Sequence, residues 1–143
     1  MINLLPGIQS TAAALNAERT RLDTVAQNIA NANTTRGLDG KPYQRQQVVF
    51  ESVLERARIS NGVEPQMSGP RVSKIERDTR PMRMVPMPGH PDANRDGMVQ
   101  MPNVNIHEEM ADLIASSRTF EANLAVLKTA KQMTMQALSI GKR

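Results

Sequence analysis

The sequence predicts a mainly α protein in which two long helices, one at each end, pack on each other and flank a middle segment of loops and short β-strands. Three observations predict it. Apolar residues recur at helical spacing over both ends of the chain. Seven of the nine prolines fall between Pro65 and Pro102, which leaves the ends almost uninterrupted. Aromatic residues are scarce: Tyr43, Phe50 and Phe120 stand alone and Trp is absent, so burial leans on Leu, Ile, Val and ten Met and is completed against partners. The 143 residues match one ordinary domain, dividing into an N-terminal helix (1–35), a proline-rich middle (36–101) and a C-terminal helix (102–143).

The first helix is read from about Ile8 to Ala32. Ile8, Leu15, Leu22 and Ile29 recur every seven residues, Ala12 and Ala26 fill intervening places, and Val25 and Ala32 widen the stripe. Arg19 interrupts the seam, which its aliphatic stem tolerates. The stretch Ala12-Ala-Ala14 favours helix and offers a low surface for close approach of another helix. The stop falls in Asn31-Ala-Asn33, because Asn tolerates the left-handed cap conformation.

In the middle, Gln47–Phe50 and Met98–Met101 read as strands. Between them Pro81, Pro86, Pro88 and Pro91 forbid long helix and central strand alike. The last helix has sharper ends. Asn105 caps it, Glu108 occupies the capping-box position, and Glu108, Glu109 and Asp112 suit the positive end of the helix dipole. Gly141, Lys142 and Arg143 mark the stop. Its first seam runs through Ile106, Met110, Leu113, Phe120, Leu124 and Leu127, the face assigned to pairing with Ile8, Leu15, Leu22 and Ile29. A second seam, Val126, Ala130, Met133, Ala137 and Ile140, begins beside it and drifts round the helix. A shorter helix covers one such stripe, so the second is assigned to contact with another subunit.

Composition and motifs exclude several function classes. The net charge of +4 is dispersed among both signs, with hardly an aromatic to stack bases, which argues against nucleic acid. No apolar run approaches the ~20 residues of a membrane span. The N-terminus lacks the charged and apolar regions of a cleaved signal peptide. There is no cysteine. Asp92-Ala-Asn94-Arg-Asp96-Gly97 imitates the opening of a calcium loop, but Asn103 stands where the bidentate carboxylate belongs, so the segment reads as an Asx turn and no metal is expected. His90 and His107 lack ligand spacing, and no nucleophile elbow or phosphate-cradling loop occurs. The chain reads as a non-enzyme without cofactor. The alternative is a cytosolic coiled-coil adaptor whose basic loop grips an acidic partner or nucleic acid.

Particular segments carry a family likeness. Asn28-Ile-Ala-Asn31-Ala-Asn33-Thr-Thr35 closing the first helix resembles the signature of bacterial flagellar rod and hook proteins. So does Ser117-Arg-Thr-Phe120-Glu121-Ala-Asn123 in the last, followed by Leu127-Lys-Thr-Ala-Lys-Gln-Met133. Gly40-Lys-Pro-Tyr43, Pro88-Gly-His-Pro-Asp-Ala-Asn94 and Met101-Pro-Asn-Val-Asn105 are similar to segments of the proximal-rod subunits of that family. Pro86, Met87 and Met98 depart from it, since an acid and aromatics are usual there. The resemblance implies an antiparallel coiled coil of the terminal helices, an outward-facing middle segment, and helical stacking around an axial channel. It implies a periplasmic position in the flagellar basal body and torque transmission to the distal rod. It also implies export by the type III apparatus without a cleaved signal. The partners it implies are copies of the chain, other rod proteins, and the base of the MS ring or export gate. The three motif asparagines read as capping and hydrogen-bonding groups where helices crowd.

Overall fold

The computed structural model describes residues 5–37, 39–55 and 66–141. In chain order the elements are α1 (Leu5–Ala30), β1 (Gln46–Glu55), β2 (Gln66–Arg77), β3 (Arg83–Pro86), β4 (Met98–Met101) and α2 (Ile106–Ile140). The strands form two separate antiparallel pairs, β1 with β2 and β3 with β4. Two long helices with a middle of short antiparallel strands is therefore the architecture.

The helix ends follow local chemistry. Asn105 caps α2: its Oδ1 accepts from the His107 N–H at 3.1 Å, while its Nδ2 donates to Glu108 Oε1 at 3.0 Å. At the far end the Gly141 N–H returns to the Ala137 carbonyl. The close of α1 differs from expectation. No described non-glycine residue has positive φ. The Gln27 carbonyl keeps its helical bond from the Asn31 N–H at 3.0 Å and gains a second from Asn31 Nδ2 at 2.9 Å. The Ile29 carbonyl is taken by the Ala32 N–H at 3.2 Å, a tightened turn that closes the helix without a left-handed residue.

The expected strand at Gln47–Phe50 lies inside the longer β1, and β2 is an element that the sequence did not announce. Two-stranded sheets have only edges, so proline finds places in them. Pro70 faces Ser52, and register shifts fall between Val49 and Phe50 and between Ser52 and Leu54. Pro86 closes β3 opposite Met98. Next to Pro70, Gly69 meets α1 so closely that a Cβ there would stand 2.8 Å from the Ser10 carbonyl oxygen. Only glycine lets the hairpin lie on the helix.

α1 packs against both the β1–β2 hairpin and α2. Near the end of α1, Asn28 touches Glu109 near the start of α2, and Arg21 reaches Asp112. Near its beginning, Gly7, Ile8 and Thr11 border the same depression as Leu127 and Ala130. Among the described residues the buried apolar side chains include Ala17, Val25 and Ala32 on α1 and its exit, with Val99, Met101 and Val104 on the segment leading into α2, all but Met101 small.

The inward stripe of α2 departs from the sequence reading. Met110, assigned to helix pairing, is half exposed, as is Ile106, whereas Glu109 beside it is wholly buried. The covered or half-covered positions are Glu109, Asp112, Leu113, Ser116, Ser117, Phe120, Asn123, Leu124, Leu127, Ala130 and Thr134. A carboxylate displaces a methionine from the interior because Asn28 and Arg45 arrive from other elements to pair with it, and no pattern within the helix records that.

Candidate functional site

Four segments converge on one buried polar node. Asn28, on the last turn of α1, is almost fully buried. It uses its whole hydrogen-bonding capacity. Nδ2 donates to the Gln46 carbonyl at 2.8 Å and to Glu109 Oε2 at 2.9 Å. Oδ1 accepts from the Tyr43 hydroxyl at 2.9 Å and from the Gln46 N–H at 2.9 Å. One side chain thereby joins the end of α1, the first residue of β1 and the first turns of α2.

Arg45 completes the node from the other side. Its Nε donates to Glu109 Oε1 at 2.6 Å, and its other nitrogens reach Asp78 Oδ2 at 3.3 Å and Asp112 Oδ2 at 3.6 Å. A guanidinium can serve three carboxylates because its donors diverge in a plane. Asn103 ties in the segment before α2: Oδ1 accepts from the Arg45 N–H at 2.8 Å, and Nδ2 donates to the carbonyls of Asp78 and Arg80. Arg80 then links Asp78, at 2.8 Å, to Glu108, at 3.1 Å.

The electrostatics follow from this packing. Burial works to raise the Asp78 carboxyl, but hydrogen bonds from the Arg80 backbone and guanidinium and from Arg45 outweigh it and hold Asp78 below its ordinary range. Glu108 is lowered by its bond from Arg80 and then by Asn105. Arg80 is raised by Glu108 first and Asp78 second. The Tyr43 phenol is raised by burial and then by the charge of Glu109.

The motif residues separate into distinct roles. Asn28 is central to the node. Asn31 bonds within its own turn, accepting from the Thr34 hydroxyl at 3.2 Å, and Asn33 is exposed. Phe120 and Asn123 are half-buried on the inward stripe and Glu121 is exposed. In the calcium-like loop Asn94 Oδ1 accepts from the Asp96 and Met98 N–H groups at 3.0 and 2.9 Å, an Asx turn closed by Gly97 at φ +71°. Asp92 points away from that turn, accepting from the Thr35 hydroxyl at 2.8 Å and meeting Arg36 at 3.7 Å. His90 Nδ1 accepts from the Asp92 N–H. Of the second seam, Val126 and Met133 are more than half exposed, Ile140 is 76 % exposed and Ala137 is exposed. Val126 and Ala130 both border the depression shared with Ile8 and Leu127, and Ala130 is half-covered there.

Sequence reasoning missed Tyr43, Arg45, Asp78, Asn103 and Glu109 as members of the node. One signal was present: Glu109 lies four residues before Leu113 and seven before Ser116, in helical step with the inward stripe.

The arrangement is one of cohesion between elements. Residues 8–36 match the family model for flagellar basal body rod proteins, and residues 95–140 match the model for the C-terminal region of the FlgEFG rod proteins. These two matches cover the two helices and define a flagellar rod-type protein. The chain is 42 % identical to the flagellar basal-body rod protein FlgC of Bacillus subtilis, over 92 % of this chain and 94 % of that one. It is 38 % identical to FlgC of Yersinia enterocolitica, over 99 % and 100 %, and 36 % identical to that of Borreliella burgdorferi, over 97 % and 98 %. The chain belongs to the FlgC family of flagellar basal-body rod proteins, which makes it a structural subunit of the rod.

Proposed function

We propose that the subunit works as a non-catalytic building block of the proximal rod, in which α1 and α2 pair as an antiparallel coiled coil and the outer stripe of α2 binds neighbouring subunits. Contacts between Asn28 and Glu109 at one end, and around Ile8 and Leu127 at the other, support the antiparallel sense. Counting eleven residues from Glu109 to Phe120 and eleven back from Asn28 brings Phe120 to the level of Ala17, a small residue. In this reading the middle segment 36–101 faces outward. Stacked subunits then form a tube in the periplasm that joins the base at the MS ring and export gate to the distal rod and carries torque. The chain reaches that place through the type III apparatus without a cleaved signal, and its partners are copies of itself and other rod proteins.

The observation that carries the assembly reading is the exposure of Val126, Met133 and Ile140 on one long helix. A stripe of that kind invites aggregation unless a partner covers it. Met133→Asp tests it. The position is outside the internal packing, so the variant is expected to match the wild-type subunit in thermal stability yet fail to enter rods, because an unpaired carboxylate at an apolar interface costs several kcal/mol. Normal incorporation with normal motility overturns the reading. Unfolding of the isolated variant would place Met133 in the internal core.

A further inference from the structure

The apolar seam between the helices repeats every seven residues on both partners: Ile8, Leu15, Leu22 and Ile29 on α1, and Leu113, Phe120 and Leu127 on α2. Sliding one helix by seven residues, roughly 10 Å at 1.5 Å per residue, lays apolar side chain on apolar side chain again. Such a seam holds two helices together without fixing their relative height. Register needs a feature that occurs once, and buried polar groups serve that purpose in paired helices. Here Asn28 and Glu109 are both buried at one point of the contact and satisfied by each other, by Arg45, by the Tyr43 hydroxyl and by the start of β1.

We propose that Asn28, Glu109 and Arg45 are the register clasp of the helix pair: the polar node, rather than the apolar seam, fixes the height of α2 on α1. It thereby sets where the outer face of α2 stands relative to the rest of the subunit. A slide of one heptad carries Glu109 away from Asn28 and from the Arg45 Nε; it leaves a buried carboxylate without partners and one Asn28 N–H without its acceptor, while Asn28 keeps its bonds to Gln46 and Tyr43. Leu113, Phe120 and Leu127 offer no donors, and although one direction of slide brings the Ser116 hydroxyl opposite Asn28, the Glu109 carboxylate still loses the Arg45 Nε. The proposal concerns pairing within one chain, so it stands or falls separately from the assembly reading.

The absence of cysteine allows register to be read by engineered thiol pairs in the full-length isolated subunit. Ile8→Cys with Leu127→Cys reports the native height. Ile8→Cys with Phe120→Cys, or with Thr134→Cys, reports a slide in either direction. In an otherwise unchanged chain the native pair is expected to exceed the shifted pairs by more than about a hundredfold, the ratio that breaking a buried ionic pair implies. In the triple variant Asn28→Leu, Arg45→Met, Glu109→Leu the shifted pairs are expected to form comparably with the native one, because an apolar node no longer distinguishes heptads. Native-only cross-linking in that variant overturns the proposal. A complementary variant guards against its failing to fold: Leu15→Ala, Leu22→Ala, Leu124→Ala weakens the seam and leaves the node intact. Native-only cross-linking is expected there, and shifted cross-links overturn the proposal.

Discussion

Removing the Asn28 side chain should destabilise this subunit more than removing either of the other motif asparagines. Asn28→Ala deletes four hydrogen bonds and leaves Glu109 Oε2, the Gln46 N–H, the Gln46 carbonyl and the Tyr43 hydroxyl without their partner. The Tyr43 hydroxyl is only part-buried and can turn to water, as can one group of Gln46. That leaves about two buried groups unsatisfied, at ~1–3 kcal/mol each and more for the carboxylate. The sum is roughly 3–5 kcal/mol, a large fraction of the ~5–15 kcal/mol that holds an ordinary domain together. Asn33 is exposed and Asn31 bonds only within its own turn, so Asn31→Ala and Asn33→Ala should each lose under about 1 kcal/mol. The assay is urea unfolding of the isolated subunit followed by far-ultraviolet circular dichroism, with the slope checked for a common two-state transition. A loss at Asn28→Ala below about 1 kcal/mol, or one equal to that of Asn33→Ala, refutes the view that Asn28 is the joint between the helices and the hairpin.

Other outcomes follow from particular contacts. Gly69→Ala puts a methyl group 2.8 Å from the Ser10 carbonyl oxygen, so the β1–β2 hairpin must lift from α1; a loss of ~1–3 kcal/mol in the same unfolding assay is expected. Gly97→Ala places a side chain at φ +71° with a Cβ 3.2 Å from the Pro88 ring, and should lower the unfolding free energy by ~1–2 kcal/mol without changing helix content. Asp78 and Glu108 are held below their ordinary values of 3.8 and 4.5. Their stabilisation is therefore fully present above those values and is lost as pH falls through the lower folded-state values. Unfolding midpoints should accordingly fall on acidification below about pH 4, and Asp78→Asn should reduce that fall.

The sequence made the helices legible because their signals are local. Asn105 caps α2 with its own side chain, Gly141 closes it, and proline is almost absent from both helices. The hairpin was less legible. Its second strand contains Gly69 and Pro70, residues that speak against a strand until the strand is known to be an edge lying on a helix. The inward face of α2 was read one residue out at its start. Apolar periodicity favours Met110, and only tertiary partners make Glu109 the interior residue. The node has the same character. The motif Asn28-Ile-Ala-Asn31-Ala-Asn33 pointed to hydrogen bonding where helices crowd, but which asparagine is buried depends on Tyr43, Gln46 and Glu109, distant in sequence.

Assembly through the outer face of α2 can be tested on the subunit in its own structure. Since the chain contains no cysteine, Met133→Cys and Ile140→Cys provide single thiols on that face. Labelling with a soluble maleimide, quantified on this chain by mass, is compared between the isolated subunit and purified basal bodies. Fast labelling of the free subunit and strong protection in the rod is the expected result; equal labelling in both states contradicts a role for this face in building the rod.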